Sequence, residues 1–235
     1  MRAKLKPDAT KTILAVLTRQ VTAAADAVAT GDSVSDAIDA VKMNKALAKV
    51  WGQAIPVFAG ATFNAIEKTL KGYGAGEIVD WAEAADDLIA TIGAEKVVLI
   101  NKATENYIRR QMRIGVQEGL SVKEVADNIR KDWNEKSLNG LTYGANRAER
   151  IASTELVGAS NYGSIIGAES TGLALEKVWL TAGDDVVRDS HEAMNGKFAK
   201  LNEAFSNGMQ YPGDMNGGAA EVIRCRCTIY HRVIK

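Results

Sequence analysis

The chain has 235 residues, enough for one sizeable domain or two small ones. Lys plus Arg and Asp plus Glu each number 29, so the formal net charge is zero, which argues against a dedicated nucleic-acid coat or a polybasic membrane binder but leaves room for local patches. Hydrophobic residues at 46% exclude intrinsic disorder, and two cysteines exclude a disulfide-rich secreted scaffold. No run approaches 18 uninterrupted apolar residues, so no transmembrane helix is expected. The basic start, MRAKLKPDATK, lacks the apolar stretch of a signal peptide, because the short apolar run Ile13 to Val16 is soon broken by Thr18, Arg19 and Gln20. The expectation is a chain that stays where it is made, in a reducing cytoplasm. There is no solenoid repeat and no low-complexity tract.

Residues 1–140 read as helical, with abundant alanine, almost no proline and apolar positions recurring at three and four. One stripe is Val34, Ile38, Val41, Ala48 and Trp51, with Ser33 placed to cap a helix starting at Val34. A second is Ile78, Ala82, Ala85, Leu88 and Ile92. The stretch from Val97 to Gly119 carries Ile100, Ala103, Tyr107, Ile108 and Met112 on one side. Gly72, Gly74 and Gly76 break the chain between helices; with no preceding strand and no G-K-[ST], they are not a nucleotide loop. Ser121 and Glu124 fit a capping box ahead of Val122, Val125 and Ile129. Asn139-Gly140 marks a turn.

A long helix is expected from about Ala145 to Ser170, ended by Thr171-Gly172. Lys177 to Thr181 reads as a strand, Gly196 as a turn, Phe205 to Gly218 as loop, and Val222 to Tyr230 as a second strand. The expected fold class is α+β: a mainly helical N-terminal region, residues 1–140, followed by a small α+β C-terminal domain, residues 141–235, with a few short strands. Charge is uneven. Glu77, Asp80, Glu83, Asp86, Asp87 and Glu95 form an acidic segment, whereas Arg224, Arg226, Arg232 and Lys235 close the chain without an acid. Such faces are either solvated or complementary docking surfaces.

The only histidines, His191 and His231, sit with Cys225 and Cys227 in a zinc-like inventory of four N/S ligands. C-x-C is an unusual zinc spacing, so the alternative is two reduced cysteines packed as small hydrophobes. On a strand the two would point to one face. Asp184, Asp185, Arg188, Asp189 and His191 form a second cluster, able to hold a metal, act as acid and base, or fix a turn. Arg150 with Ser153, Thr154 and Glu155 falls on a helix, which disfavours an ADP-ribosyltransferase reading. Lys102, Arg109, Arg110 and Arg113 share one helix, but no DNA-recognition motif accompanies them.

The features from Arg147 onward come in a specific order: R-x-E-R-I-A-x-T-E, A-S-N-Y-G, K-x-W-L-T, D-D-x-x-R-x-S-H-x-x-M-N-G, Y-P-G-D and C-R-C. Over roughly residues 140–230 the chain resembles the phage Mu F-like minor head protein family, also called phage head morphogenesis proteins. The resemblance implies a low-copy virion protein, made in the host cytoplasm and lying in the head interior. It implies association with the phage portal protein, a part in head assembly and in genome packaging or ejection, and no membrane. The major capsid protein and phage DNA are further candidate partners. No established catalytic activity comes with it. It marks a site of unassigned role at Arg150, Glu155, Asn161, Trp179, Asp184, Arg188, His191, Gly196 and Pro212, together with Cys225 and Cys227. Zinc is the candidate cofactor, held by His191, Cys225, Cys227 and His231. The alternatives are a metal-dependent hydrolase or nuclease using Asp184, Asp189 and His191, and a DNA-contacting protein carried with the genome.

Overall fold

A computed structural model describes residues 1–70 and 80–234. The expected break at Gly72 to Gly76, and the positions Glu77, Ile78 and Lys235, lie outside the described residues. In chain order come α1 (Arg2–Thr30), α2 (Ala40–Leu70), α3 (Trp81–Gln117), α4 (Val122–Asn134), α5 (Tyr143–Glu169), β1 (Leu175–Leu180), α6 (Asp189–Glu192), β2 (Phe198–Lys200), a 3-10 turn (Met215–Gly217), α7 (Gly218–Val222) and β3 (Thr228–Val233). Long helices followed by a small antiparallel sheet make the α+β class expected from the sequence.

Packing gathers these elements into two compact units. One holds Met1–Lys6, Lys49–Leu88 and Ser153–Lys235; the other holds Pro7–Ala48 and Ile89–Ala152. Each packed unit draws on segments far apart in sequence.

The second unit is a helical bundle. Ile13, Leu17, Val21, Ala24 and Val28 recur at three and four along α1 and are buried with Met43 and Leu47 of α2, Ile108 of α3, Val125, Ile129 and Trp133 of α4, and Ala148 of α5. By length and composition α1 can cross a membrane, yet half of that stretch is buried in the fold. The capping box is present: Glu124 N donates to Ser121 Oγ at 3.3 Å, and Ser121 N donates back to Glu124 Oε2 at 2.8 Å. The Asn139-Gly140 turn is also present, with Gly140 at φ +78° and Ser137 N donating to Leu141 O at 2.9 Å.

The helix expected from Val34 starts later, at Ala40. Two local caps compete here. Ser33 Oγ accepts from Asp36 N at 3.4 Å and closes a turn, whereas Asp39 Oδ1 accepts from Lys42 N at 3.0 Å and starts the helix.

The first unit carries a three-stranded sheet of order β2-β1-β3, antiparallel throughout, with Lys177 opposite Ala199 on one side and His231 on the other. β1 is the central strand and is largely buried. Its core joins Trp179, Met194, Phe205, Met209, Tyr211, Cys225, Cys227 and Ile229. The strand expected over Val222 to Tyr230 is corrected: α7 ends at Val222 and β3 begins only at Thr228. Arg224 lies between them at φ +58°, which reverses the chain and prevents a continuous strand. Cys225 and Cys227 therefore precede the strand rather than sit on it.

Candidate metal centre

Short elements with strong anchors position this site. Trp179 N donates to Lys197 O at 2.8 Å and Gly196 N donates to Trp179 O at 2.9 Å, so the Gly196 turn, at φ +76°, folds against β1. α6 is a single turn. Arg188 just before it donates to Ile223 O, tying α6 to the segment after α7. This buries the His191 ring edge-on to Trp179, with centroids 5.3 Å apart. Beyond Arg224, whose N–H donates to Thr154 Oγ1 at 3.1 Å, the chain runs through Cys225 and Cys227. Asn161 fixes the latter's backbone: its Nδ2 donates to Cys227 O at 3.2 Å and Pro212 O at 2.7 Å, while its Oδ1 accepts from Arg2 at 2.9 Å and Thr228 Oγ1 at 3.1 Å.

Both sulfurs end beside the same nitrogen. His191 Nδ1 lies 3.7 Å from Cys225 Sγ and 3.5 Å from Cys227 Sγ. One ligand atom from each of the three residues falls within a 4.8 Å span. The Cys225 thiol donates to Cys227, which, together with burial, pushes the Cys225 pKa up. Accepting that hydrogen bond pulls Cys227 down, and nearby His191 and the Trp179 N–H add to the effect. The pair thus favours one thiolate, the form that binds metals. On the far side of the ring, His191 Nε2 stands 2.9 Å from Glu221 Oε2, at ion-pair distance but outside hydrogen-bond geometry. Ser190 Oγ donates to that same oxygen at 2.8 Å.

Three of the four residues expected to share a metal are therefore together, and His231 is not with them. It sits on β3 with Nε2 2.9 Å from Ser164 Oγ. Its register partner Lys177 is wholly buried and donates to Leu201 O at 2.8 Å and Gln210 Oε1 at 3.0 Å, with Nζ 5.5 Å from the Phe205 ring centroid. Burial lowers the Lys177 pKa to about 8. Burial, reinforced by the Lys177 charge, lowers that of His231 to about 4.

An unfolded histidine titrates near about 6.5, so between that pH and about 4 the unfolded chain binds a proton that the folded chain refuses. The contribution of His231 is complete above the unfolded value and is lost as the pH falls through this window, by about 3 kcal/mol. His231→Gln should flatten the difference in stability between pH 7 and pH 4, measured by urea unfolding; identical slopes for variant and wild type would refute it.

The Asp and His constellation is not assembled. Asp184 and Asp189 are exposed, whereas His191 is buried and faces the cysteines. Both oxygens of Asp184 accept from Arg226, which holds its carboxyl below the ordinary range. Of the other marked residues, Glu155 is buried and accepts from Trp51 Nε1 at 3.0 Å, Pro212 is buried under Asn161, and Arg150 is exposed on α5. Sequence reasoning missed Arg2, whose guanidinium also reaches Ser160 Oγ at 2.5 Å, and Glu221 behind His191. No local signal marks either, because their partners are remote in sequence.

Comparison with known proteins agrees with the motif order. The family described as "Phage Mu protein F like protein" matches residues 106–230, more than half of the chain. The match starts within α3, well ahead of residue 140, and runs through α4, α5 and β1 into β3. No curated protein and no solved structure matches the chain. With its motifs, its α+β fold and this match in agreement, the chain belongs to the family of phage Mu protein F like proteins, and so to the phage head-morphogenesis proteins of the virion.

Proposed function

We propose that the chain is a minor head protein that docks on the portal inside the phage head and serves genome packaging or ejection as well as head assembly. Membership of the phage Mu F-like family carries this reading. Its surface chemistry supports it. Asp80, Glu83, Asp86 and Asp87 are exposed at the start of α3, and Arg224 and Arg232 are exposed near the end of the chain. Exposed groups of opposite charge suit oriented docking in an assembly, where complementarity gives register and specificity. A hydrolytic reading has less support, because Asp184 is committed to Arg226 and the Glu221 carboxylate stands on the far side of the His191 ring from the sulfurs.

Co-expression with the portal protein of the same phage tests the proposal. The chain is expected to co-sediment with portal rings, and heads lacking it should assemble with impaired DNA content or infectivity. Sedimentation of the chain apart from portal, together with purified heads that lack it, would overturn the reading.

A further inference from the structure

We propose that His191, Cys225 and Cys227 bind one Zn2+ ion, which staples the α6 turn to the segment leading into β3.

The nitrogen–sulfur geometry fits a zinc ion. Tetrahedral zinc with Zn–S of about 2.3 Å and Zn–N of about 2.0 Å sets its sulfur and nitrogen ligands about 3.5 Å apart. The observed Nδ1 to Sγ separations are 3.5 and 3.7 Å. Both sulfurs face the same ring nitrogen, as ligands of one ion would. All three residues are only 2% exposed, so water does not solvate them. Two thiolates buried here without a cation would be costly, whereas two thiolates and Zn2+ sum to zero charge.

The surroundings are those of a ligating histidine. Nδ1 points at the sulfurs and Nε2 towards Glu221, whose carboxylate Ser190 holds. A carboxylate beside the second ring nitrogen is the usual companion of a zinc-ligating histidine. Because it stands behind the ring, Glu221 supports His191 rather than ligating the ion. Among the described residues no fourth His, Cys, Asp or Glu converges with the three.

The ion has a structural task. α6 spans four residues, β2 three and α7 five, lengths that do not hold themselves. The ligands are 34 and 36 residues apart in sequence, so one ion closes the whole region between them. This inference concerns stability of the C-terminal fold and is independent of portal docking.

The full chain, purified without a metal-binding tag under reducing conditions and dialysed against Zn2+ and then buffer, should retain about one zinc per chain by elemental analysis. Chelation should lower its melting temperature. Substituted Co2+ should show thiolate-to-metal charge-transfer absorption. Cys227→Ser and His191→Ala should lose the zinc, and His231→Ala should keep it. Background zinc in the wild-type chain with both thiols reduced would overturn the proposal, as would unchanged zinc in the Cys225→Ser, Cys227→Ser double variant, or zinc lost in His231→Ala. If the cysteine variants do not fold, the Co2+ spectrum of the wild-type chain decides: absence of the charge-transfer band refutes the site.

Discussion

Gly167→Val is expected to destabilise the protein by about 3 kcal/mol or more, the upper range for forcing atoms into a packed interior. The cause is a close approach of two backbones. A Cβ on Gly167 would stand 2.2 Å from Ala59 O, and one on Gly163, a turn earlier in α5, would stand 2.6 Å from Ile55 O. Neither obstacle is a side chain that can swing away; both are carbonyls of α2, so the helices must part. Parting them strains the Trp51 to Glu155 hydrogen bond at 3.0 Å and the Thr62 to Ser164 contact at 3.0 Å, which bridge the same helix pair. Gly52→Ala is the control: its Cβ meets nothing within 4 Å and it lies inside α2, so alanine should be neutral or stabilising by up to about 1 kcal/mol. Urea unfolding of both variants reads the difference. A Gly167→Val midpoint equal to that of the wild type would show that the two helices are not in contact there.

The second large effect is Trp179→Ala, expected to cost about 3–5 kcal/mol. Trp179 is wholly buried on the central strand and meets Phe205 and His191 edge-on, each with ring centroids 5.3 Å away. Alanine would leave a cavity lined by side chains of several short segments, which have little regular structure with which to collapse. Trp179→Phe fills most of that space and should retain most of the stability. Near-ultraviolet circular dichroism and denaturant unfolding distinguish the two. If alanine and phenylalanine gave the same midpoint, these edge-on rings would not be the centre of this core.

What the sequence made legible was mostly local. The Ser121 box, the Asn139-Gly140 turn, the α5 stripe ended at Gly172 and the apolar run of β1 each depend on residues within a few positions of one another. Local rules failed where two local answers competed or where one residue left the ordinary backbone region. Ser33 and Asp39 both offered a cap, and Asp39 started the helix. Arg224 broke an otherwise plausible strand by adopting positive φ. β2, with three residues, is too short to announce itself by alternation and exists because β1 offers it an edge.

The candidate site shows the same division. Composition singled out two histidines and two cysteines, and the order of motifs pointed to the family. Nearness in sequence suggested His231, four residues past Cys227, as a ligand; the pairing of β3 with β1 carries it instead to Lys177 and Ser164. His191, more than thirty residues away, takes the place beside the sulfurs. Helix stripes, caps and turns are fixed by energies that neighbours along the chain supply, and so can be read from residues in order. Which imidazole meets the thiols, and which glycines touch another backbone, depends on how remote segments pack, and no local pattern encodes it.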